Sequence, residues 1–412
     1  MERVFVRVPT AKLKIDILQN VASKERAARY IRPSATQPDV LALDVSDKER
    51  DWLEKNGATI YENVQFSVFP LGEDDDDAGT DWHTTAGQDD HDFSLDDVVA
   101  QIGAPGAWAH TRGKGVTIAV VDTGISGKLK EIPAARRLGV DLQTHYRGDH
   151  WADAVGHGSM CAAIAAGSRD AGGRFQGVAP EATVLAARTN LTSDDLYGVF
   201  DNINMLRDKG TLPGPLVVTN SYGLYTCTPP NVLPIDHPYI QVILSAIARG
   251  VFVCFAAGNN HYDVKCDFDP RECGPNTIWG PNSHDQIVSV GTVNRALTNC
   301  DPLTPHANSS RGPGEWAVNR LKPDCVAPTY GEVPWGGSYR KMGWWGTSGA
   351  CPQVAGLAAL ILSVAPTLRP EVVADIIRDT SDPLHEGAAC VGRGVINCDA
   401  GVAKALEFAS LV

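Results

Sequence analysis

The sequence predicts a three-layer α/β protein with a mainly parallel central sheet, preceded by a small separate α/β unit. Three observations predict it. Beyond about residue 100, apolar runs of strand length alternate with helical patterns, as in a parallel sheet covered on both faces. Residues 73–97 carry eleven acidic side chains and no Lys or Arg, a stretch too polar and self-repelling to bury a core. The 412 residues are 43% hydrophobic, enough for a sizeable core in more than one domain.

Before the acidic stretch, "RVFVRVP" reads as a strand and "TAKLKIDILQNVASK" places Leu13, Ile17 and Val21 on one helical face. "DVLALDV" is a second strand. In "SDKERDWLEKNG" Ser46 and Glu49 have capping-box spacing, and Asn56-Gly57 is a helix stop. "ATIYENVQFSVFPL" adds further strand signal, so residues 1–71 form a β-α-β-α-β unit, residues 72–97 an acidic linker and residues 98–412 the larger domain. There, "GVTIAVVDTG" is a buried strand, "HGSMCAAIAAG" a helix start and "TVLAAR" a strand. "SDDLYGVFDNINMLRDKG" is a helix, "PLVVTNSYG" a strand, and "YIQVILSAIARG" with "VFVCFAAGN" repeats the helix-strand pair.

Composition removes several function classes. The formal charge of -13 is local: of 49 acidic residues eleven lie in the linker, and without them 38 face 36 Lys and Arg. No basic cluster with interleaved aromatics suggests nucleic acid, and no HExxH suggests a metalloprotease. The start "MERVFVRVPTAK" does not read as a secretory signal, and the run "VAGLAALILSVAP" is short for a membrane span. No membrane partner is therefore expected. Among ten cysteines there is no CxxC pair. Cys161, Cys254, Cys325 and Cys351 lie in apolar segments and read as buried thiols. Cys227, Cys266, Cys273, Cys300, Cys390 and Cys398 lie in polar surroundings where an oxidising compartment would pair them. Without a signal, reduced thiols and a cytoplasmic location are expected.

In open parallel sheets the strand ends and helix starts face a common crevice. Asp122 follows "VTIAVV", His157 begins a helix, Asn259 ends "VFVCFAAG", and Ser348 opens the helix of "VAGLAALIL". A serine hydroxyl becomes a nucleophile when an imidazole takes its proton and a carboxylate holds that imidazole's tautomer. Asp122, His157 and Ser348 supply those types, while the Asn259 amide and the Ser348 backbone N–H supply oxyanion donors. Singly each has a plainer reading. Ser348 and His157 read as helix caps, and Asp122 and Asn259 as turn residues.

Together they carry a resemblance. Residues from about 100 to 408 resemble the subtilisin-like serine proteases, the subtilases, through "VVDTGI", "GHGSMCAAIAAG" and "GTSGACPQVAGL" in the order Asp, His, Ser. "GVAPEATVLAAR", "NSYG", "AAGNN", "SVGTVN", "NSSRGPG" and "KPDCVAP" extend it. The resemblance implies a subtilisin-like fold and a serine endopeptidase acting on polypeptides, with no cofactor needed for catalysis. Ser348 becomes the nucleophile, His157 the general base, Asp122 its orienter and Asn259 the oxyanion donor. Ser221, Tyr222 and Gly223 become the strand that pairs with substrate, and Ala256, Ala257 and Gly258 a wall of the specificity pocket. Residues 1–71 become a propeptide that blocks the cleft with its tail and is removed by self-cleavage between about residues 69 and 95. Structural calcium is an expectation of the family, although no loop has EF-hand spacing. The same residues would also serve a transpeptidase or macrocyclase, or a non-catalytic peptide-binding relative.

The chain departs from the family pattern at three places. Gly349 replaces the usual methionine and is expected to widen the leaving-group side. Cys351 replaces a small residue and Gln353 a histidine. Cys161, one helical turn past His157, is expected beneath the imidazole.

Overall fold

A computed structural model describes residues 1–23, 31–68, 93–170, 172–262, 265–294 and 303–410. The first unit contains β1 (Glu2–Arg7), α1 (Ala11–Ser23), β2 (Ile31–Pro33), β3 (Val40–Val45), α2 (Asp47–Lys55) and β4 (Thr59–Glu62). Its antiparallel sheet runs β2-β3-β1-β4. Alternation gives that sheet two apolar faces. Val4, Val6, Leu41 and Leu43 bury Leu13, Ile17 and Leu53 from the two helices. The capping box forms as expected, with the Glu49 carboxylate accepting from Ser46 N at 2.8 Å.

The larger unit contains, after β5 (Ser67–Val68), α3 (Leu95–Gln101), α4 (Ala104–Ala107), β6 (Thr117–Asp122), α5 (His157–Ala166), β7 (Thr183–Arg188), α6 (Ser193–Asp208), β8 (Leu216–Asn220), β9 (Tyr222–Gly223), α7 (Pro238–Ala248) and β10 (Val251–Ala256). It continues with β11 (Val288–Val293), β12 (Cys325–Pro328), β13 (Gly331–Trp335), β14 (Ser338–Met342), α8 (Gly346–Val364), α9 (Pro370–Asp379), α10 (Ala388–Val391) and α11 (Cys398–Ala409). Six strands form one parallel sheet in the order β12-β11-β10-β8-β6-β7. The first strand in sequence, β6, is flanked by β7 and β8, so the winding reverses there and the ends of β6 and β8 open onto a crevice.

The period-two alternation explains the three layers. Ile118, Val120, Phe252 and Cys254 point into the core that holds α5 and α8. Ala119, Val121, Val253 and Phe255 point into the core that holds α6 and α7. This second core also receives Phe5, Ala42, Tyr61 and Phe66, so the other face of the small sheet is buried on the larger unit. The α8 helix is apolar over 19 residues, yet 89% of its apolar window is buried in this protein's own core.

Four expectations need correction. The last three residues assigned to the linker, 95–97, are helical: Asp97 closes a capping box with Ser94, and Asp96 accepts from Gln176 N at 3.0 Å and pairs with Arg169. The other linker acids lie outside the described residues. Helix α8 starts at Gly346, so Ser348 sits in its first turn rather than capping it. The small unit has an additional strand, the three-residue edge strand β2. Reduced thiols were expected, but Cys227 pairs with Cys266 and Cys273 with Cys390, at Cα separations of 5.3 and 4.9 Å. Cys398 is buried as a free thiol, with Cys161, Cys254, Cys325 and Cys351, and Cys300 lies outside the described residues.

Candidate active site

Asp122 closes β6 at its carboxyl end, and a turn through Gly124, at φ +107°, carries the chain away. His157 is the first residue of α5, after Gly156 at φ +98°. Both features of Gly156 require glycine, because the left-handed backbone and the nearby Trp335 indole each exclude a side chain. His157 Nδ1–H donates to Asp122 Oδ1 at 2.8 Å, with both side chains about 1% exposed. This leaves Nε2 as the basic nitrogen, and among the described residues it has no hydrogen-bond partner.

Ser348 is fully buried near the start of α8, and its hydroxyl donates to the Ser221 carbonyl at 3.3 Å. The hydroxyl therefore points to the strand expected to pair with substrate rather than to His157. Cys161 lies between His157 and the backbone at Ser348. Its sulfur lies 3.9 Å from His157 Nδ1 and 3.6 Å from the Ser348 carbonyl. Burial pushes this thiol well above its ordinary value, which keeps it neutral.

Asn259 follows β10 and is fully buried. Its Oδ1 accepts from Thr347 N at 3.0 Å and from Thr347 Oγ1 at 2.9 Å, while Thr347 Oγ1 accepts from Gly258 N at 3.1 Å. Thr347 thus fixes the amide plane of Asn259 beside the first turn of α8, whose N–H groups carry partial positive charge. Thr347 was not singled out from the sequence. Its position next to Ser348 was the available signal.

The strand expected to pair with substrate is already paired. Ser67 stands opposite Gly223 and Val68 opposite Tyr222 in an antiparallel β5–β9 ribbon. Ser221 Oγ donates to the Ser348 carbonyl at 2.9 Å. Tyr222 is buried under Phe66 and bonds Tyr239 through its hydroxyl at 2.8 Å. Asn282, also missed in the sequence, donates to the carbonyls of Tyr222 and Ala256 at 2.8 and 2.7 Å, joining the two expected walls. Ala257 N reaches Val290 O, and Gly258 O accepts from Ser310 N.

Gly349 does not open the cleft as expected. A β-carbon there would lie 2.7 Å from Trp345 Cβ and 3.3 Å from Thr329 Cγ2, so a tryptophan fills the room. Gln353 reaches back to the carbonyls of Pro328 and Gly349 at 2.7 and 3.0 Å.

A buried Asp–His pair, a serine at a helix start and an asparagine beside it, all at the carboxyl end of a parallel sheet, define a subtilisin-like serine protease architecture. A family model described as Subtilase family matches residues 113–397, and the chain belongs to that family of serine peptidases. It is 28% identical to the serine protease AprX of Bacillus subtilis over 319 residues, 70% of this chain and 66% of that one. It is 27% identical to a calcium-dependent protease of Nostoc over 72% of this chain and 46% of that one. This chain therefore spans about half to two thirds of those relatives' lengths. Fervidolysin from Fervidobacterium pennivorans, a keratinolytic enzyme related to subtilisin, superposes with a TM-score of 0.65 at 18% identity, over 98% of this chain and 61% of that one.

Proposed function

We propose that this protein hydrolyses peptide bonds in polypeptides through an acyl-enzyme on Ser348, with His157 as base and then acid, Asp122 as its orienter and Asn259 as oxyanion donor. The observation that carries the reading is the buried 2.8 Å bond between His157 Nδ1 and Asp122, which sets the tautomer a general base needs. A turn of the Ser348 side chain away from the Ser221 carbonyl would offer its proton to Nε2. Attack on the carbonyl then places the oxyanion by Asn259 and the first turn of α8.

Residues 1–71 act in this reading as an intramolecular inhibitor. Two features support it. The β5–β9 ribbon occupies the edge that an extended substrate would use. The small unit is also clamped to α6, where Asp201 accepts from Ser34 Oγ, Ala35 N, Thr36 N and Thr36 Oγ1 at 2.6–2.9 Å. The two disulfides favour an oxidising compartment over the cytoplasm. No calcium site is assigned, because the one cluster of three metal-type ligands among the described residues is Asp122, His157 and Cys161, and calcium prefers oxygen donors.

The test compares the full chain with Ser348→Ala by intact mass and by digestion of a denatured protein mixture. The active chain should lose its first 68 or more residues and generate new peptide ends. The alanine variant should keep Met1 and generate none. Equal processing in both would overturn the reading.

A further inference from the structure

We infer that Asp153 is a positioning residue for the general base: one carboxylate ties the Asp122 turn to the start of α5 and offsets the positive end of that helix where His157 becomes an imidazolium. The inference rests on His157 being the base. Gly156, at the helix cap, has no side chain, and among the described contacts no side-chain cap bond comes from it. Asp153 takes that role from three residues earlier.

Its Oδ1 accepts from Val155 N at 3.1 Å, Gly156 N at 2.8 Å and Thr123 Oγ1 at 3.0 Å. Its Oδ2 accepts from Ser159 N at 2.9 Å and Ser159 Oγ at 2.7 Å. Thr123 directly follows Asp122, and its hydroxyl accepts from Gly158 N at 3.0 Å. Ser159 Oγ accepts from Ser126 N at 2.9 Å. The segment 122–126 and the first turn 156–159 are therefore joined through one carboxylate, and the Asp122–His157 bond lies between them.

The charge matters as much as the bonds. The N-terminal end of a helix disfavours a cation, yet the imidazole of His157 must accept a proton there. Among the described residues the groups facing the imidazole are few. Asp122 comes from β6, neutral Cys161 from α5 itself and Trp335 from β13, its ring 6.4 Å away, and the Ser348 backbone carbonyl of α8 lies 3.6 Å from the Cys161 sulfur. Arg340 of β14 lies over that indole, and Arg188 beside the Asp122 turn is paired with Asp149. Asp122 and Asp153 are the carboxylates placed to favour the imidazolium, and both act on Cys161, which touches His157.

The test reads the rate of Ser348 labelling by a neutral phosphonate, and hydrolysis of an uncharged peptide, against pH. Asp153→Asn should move the acid limb of both profiles down by roughly 0.5–1 unit. The plateau kcat should fall about three- to tenfold with KM changed less than about twofold. Ser159→Ala removes bonds while keeping the charge, and should leave the limb in place. Should Asp153→Asn not fold, Asp153→Ser offers a capping oxygen without charge and should give the same shift. A purely structural role would lower the rate without moving the limb, so an unmoved limb in a folded, uncharged variant overturns the inference. Wild-type enzyme without label at Ser348 would instead overturn the assignment of the base.

Discussion

Thr347→Val probes the proposed oxyanion site through the residue that bonds the Asn259 amide. Valine keeps the shape of threonine, and the bond from the backbone N of residue 347 to Asn259 Oδ1, 3.0 Å, survives. Two bonds do not. Thr347 Oγ1 to Asn259 Oδ1, 2.9 Å, and Gly258 N to Thr347 Oγ1, 3.1 Å, are lost. The stranded, buried Gly258 N–H costs about 1–3 kcal/mol of stability. Only the loosening of Asn259 reaches the transition state, and one neutral bond is worth about 0.5–1.5 kcal/mol, which is roughly a two- to tenfold fall in kcat. Asn259→Ala removes the donor itself and should cost about 10²–10³ in kcat. In that background Thr347→Val should cost less than about twofold, because no amide is left to orient. Pre-steady-state acylation with a chromogenic peptide across the four enzymes gives the coupling. Equal losses from Thr347→Val in both backgrounds would refute the orienting role.

Two further predictions concern packing and docking. Gly349→Met should lower stability by about 1–3 kcal/mol through overlap with Trp345, read by thermal melting; an unchanged melting temperature would show that the indole yields freely. His237 sits between Phe5 and Tyr61, donates from Nε2 to Glu62 O at 3.0 Å and accepts Tyr239 N at Nδ1, while burial lowers its pKa to about 4. Its contribution to docking is full above its ordinary value near 6.5 and is lost as pH falls toward 4, roughly 3 kcal/mol in all. Hydrogen exchange of residues 59–68 should therefore accelerate across that window in the Ser348→Ala chain, with a smaller step in His237→Asn; identical pH dependence in the two would refute it.

The central strands were legible because each is an apolar run buried on both faces, and the ends of β6 and β10 marked Asp122 and Asn259. The strand signal before the linker covered β5, but the three-residue β2 is too short for any periodicity to register, and its place, like the pairing of β5 with β9, is set by partners far along the chain. The same holds for Cys273 and Cys390, 117 residues apart, whose pairing depends on the fold rather than on local polarity. The start of α8 was misread because Trp345 and Gly346 resemble a loop, while tertiary bonds from Thr347 to Asn259 hold that turn in helix. Residue types suggested the site chemistry; Thr347, Asn282 and Asp153 emerged only once distant segments were adjacent.

Reaction with a serine-directed phosphonate followed by peptide mapping tests the central claim most directly. Label confined to Ser348, and lost in His157→Ala although that variant remains folded, is the result expected. Label spread over other serines, or undiminished without the imidazole, would contradict it.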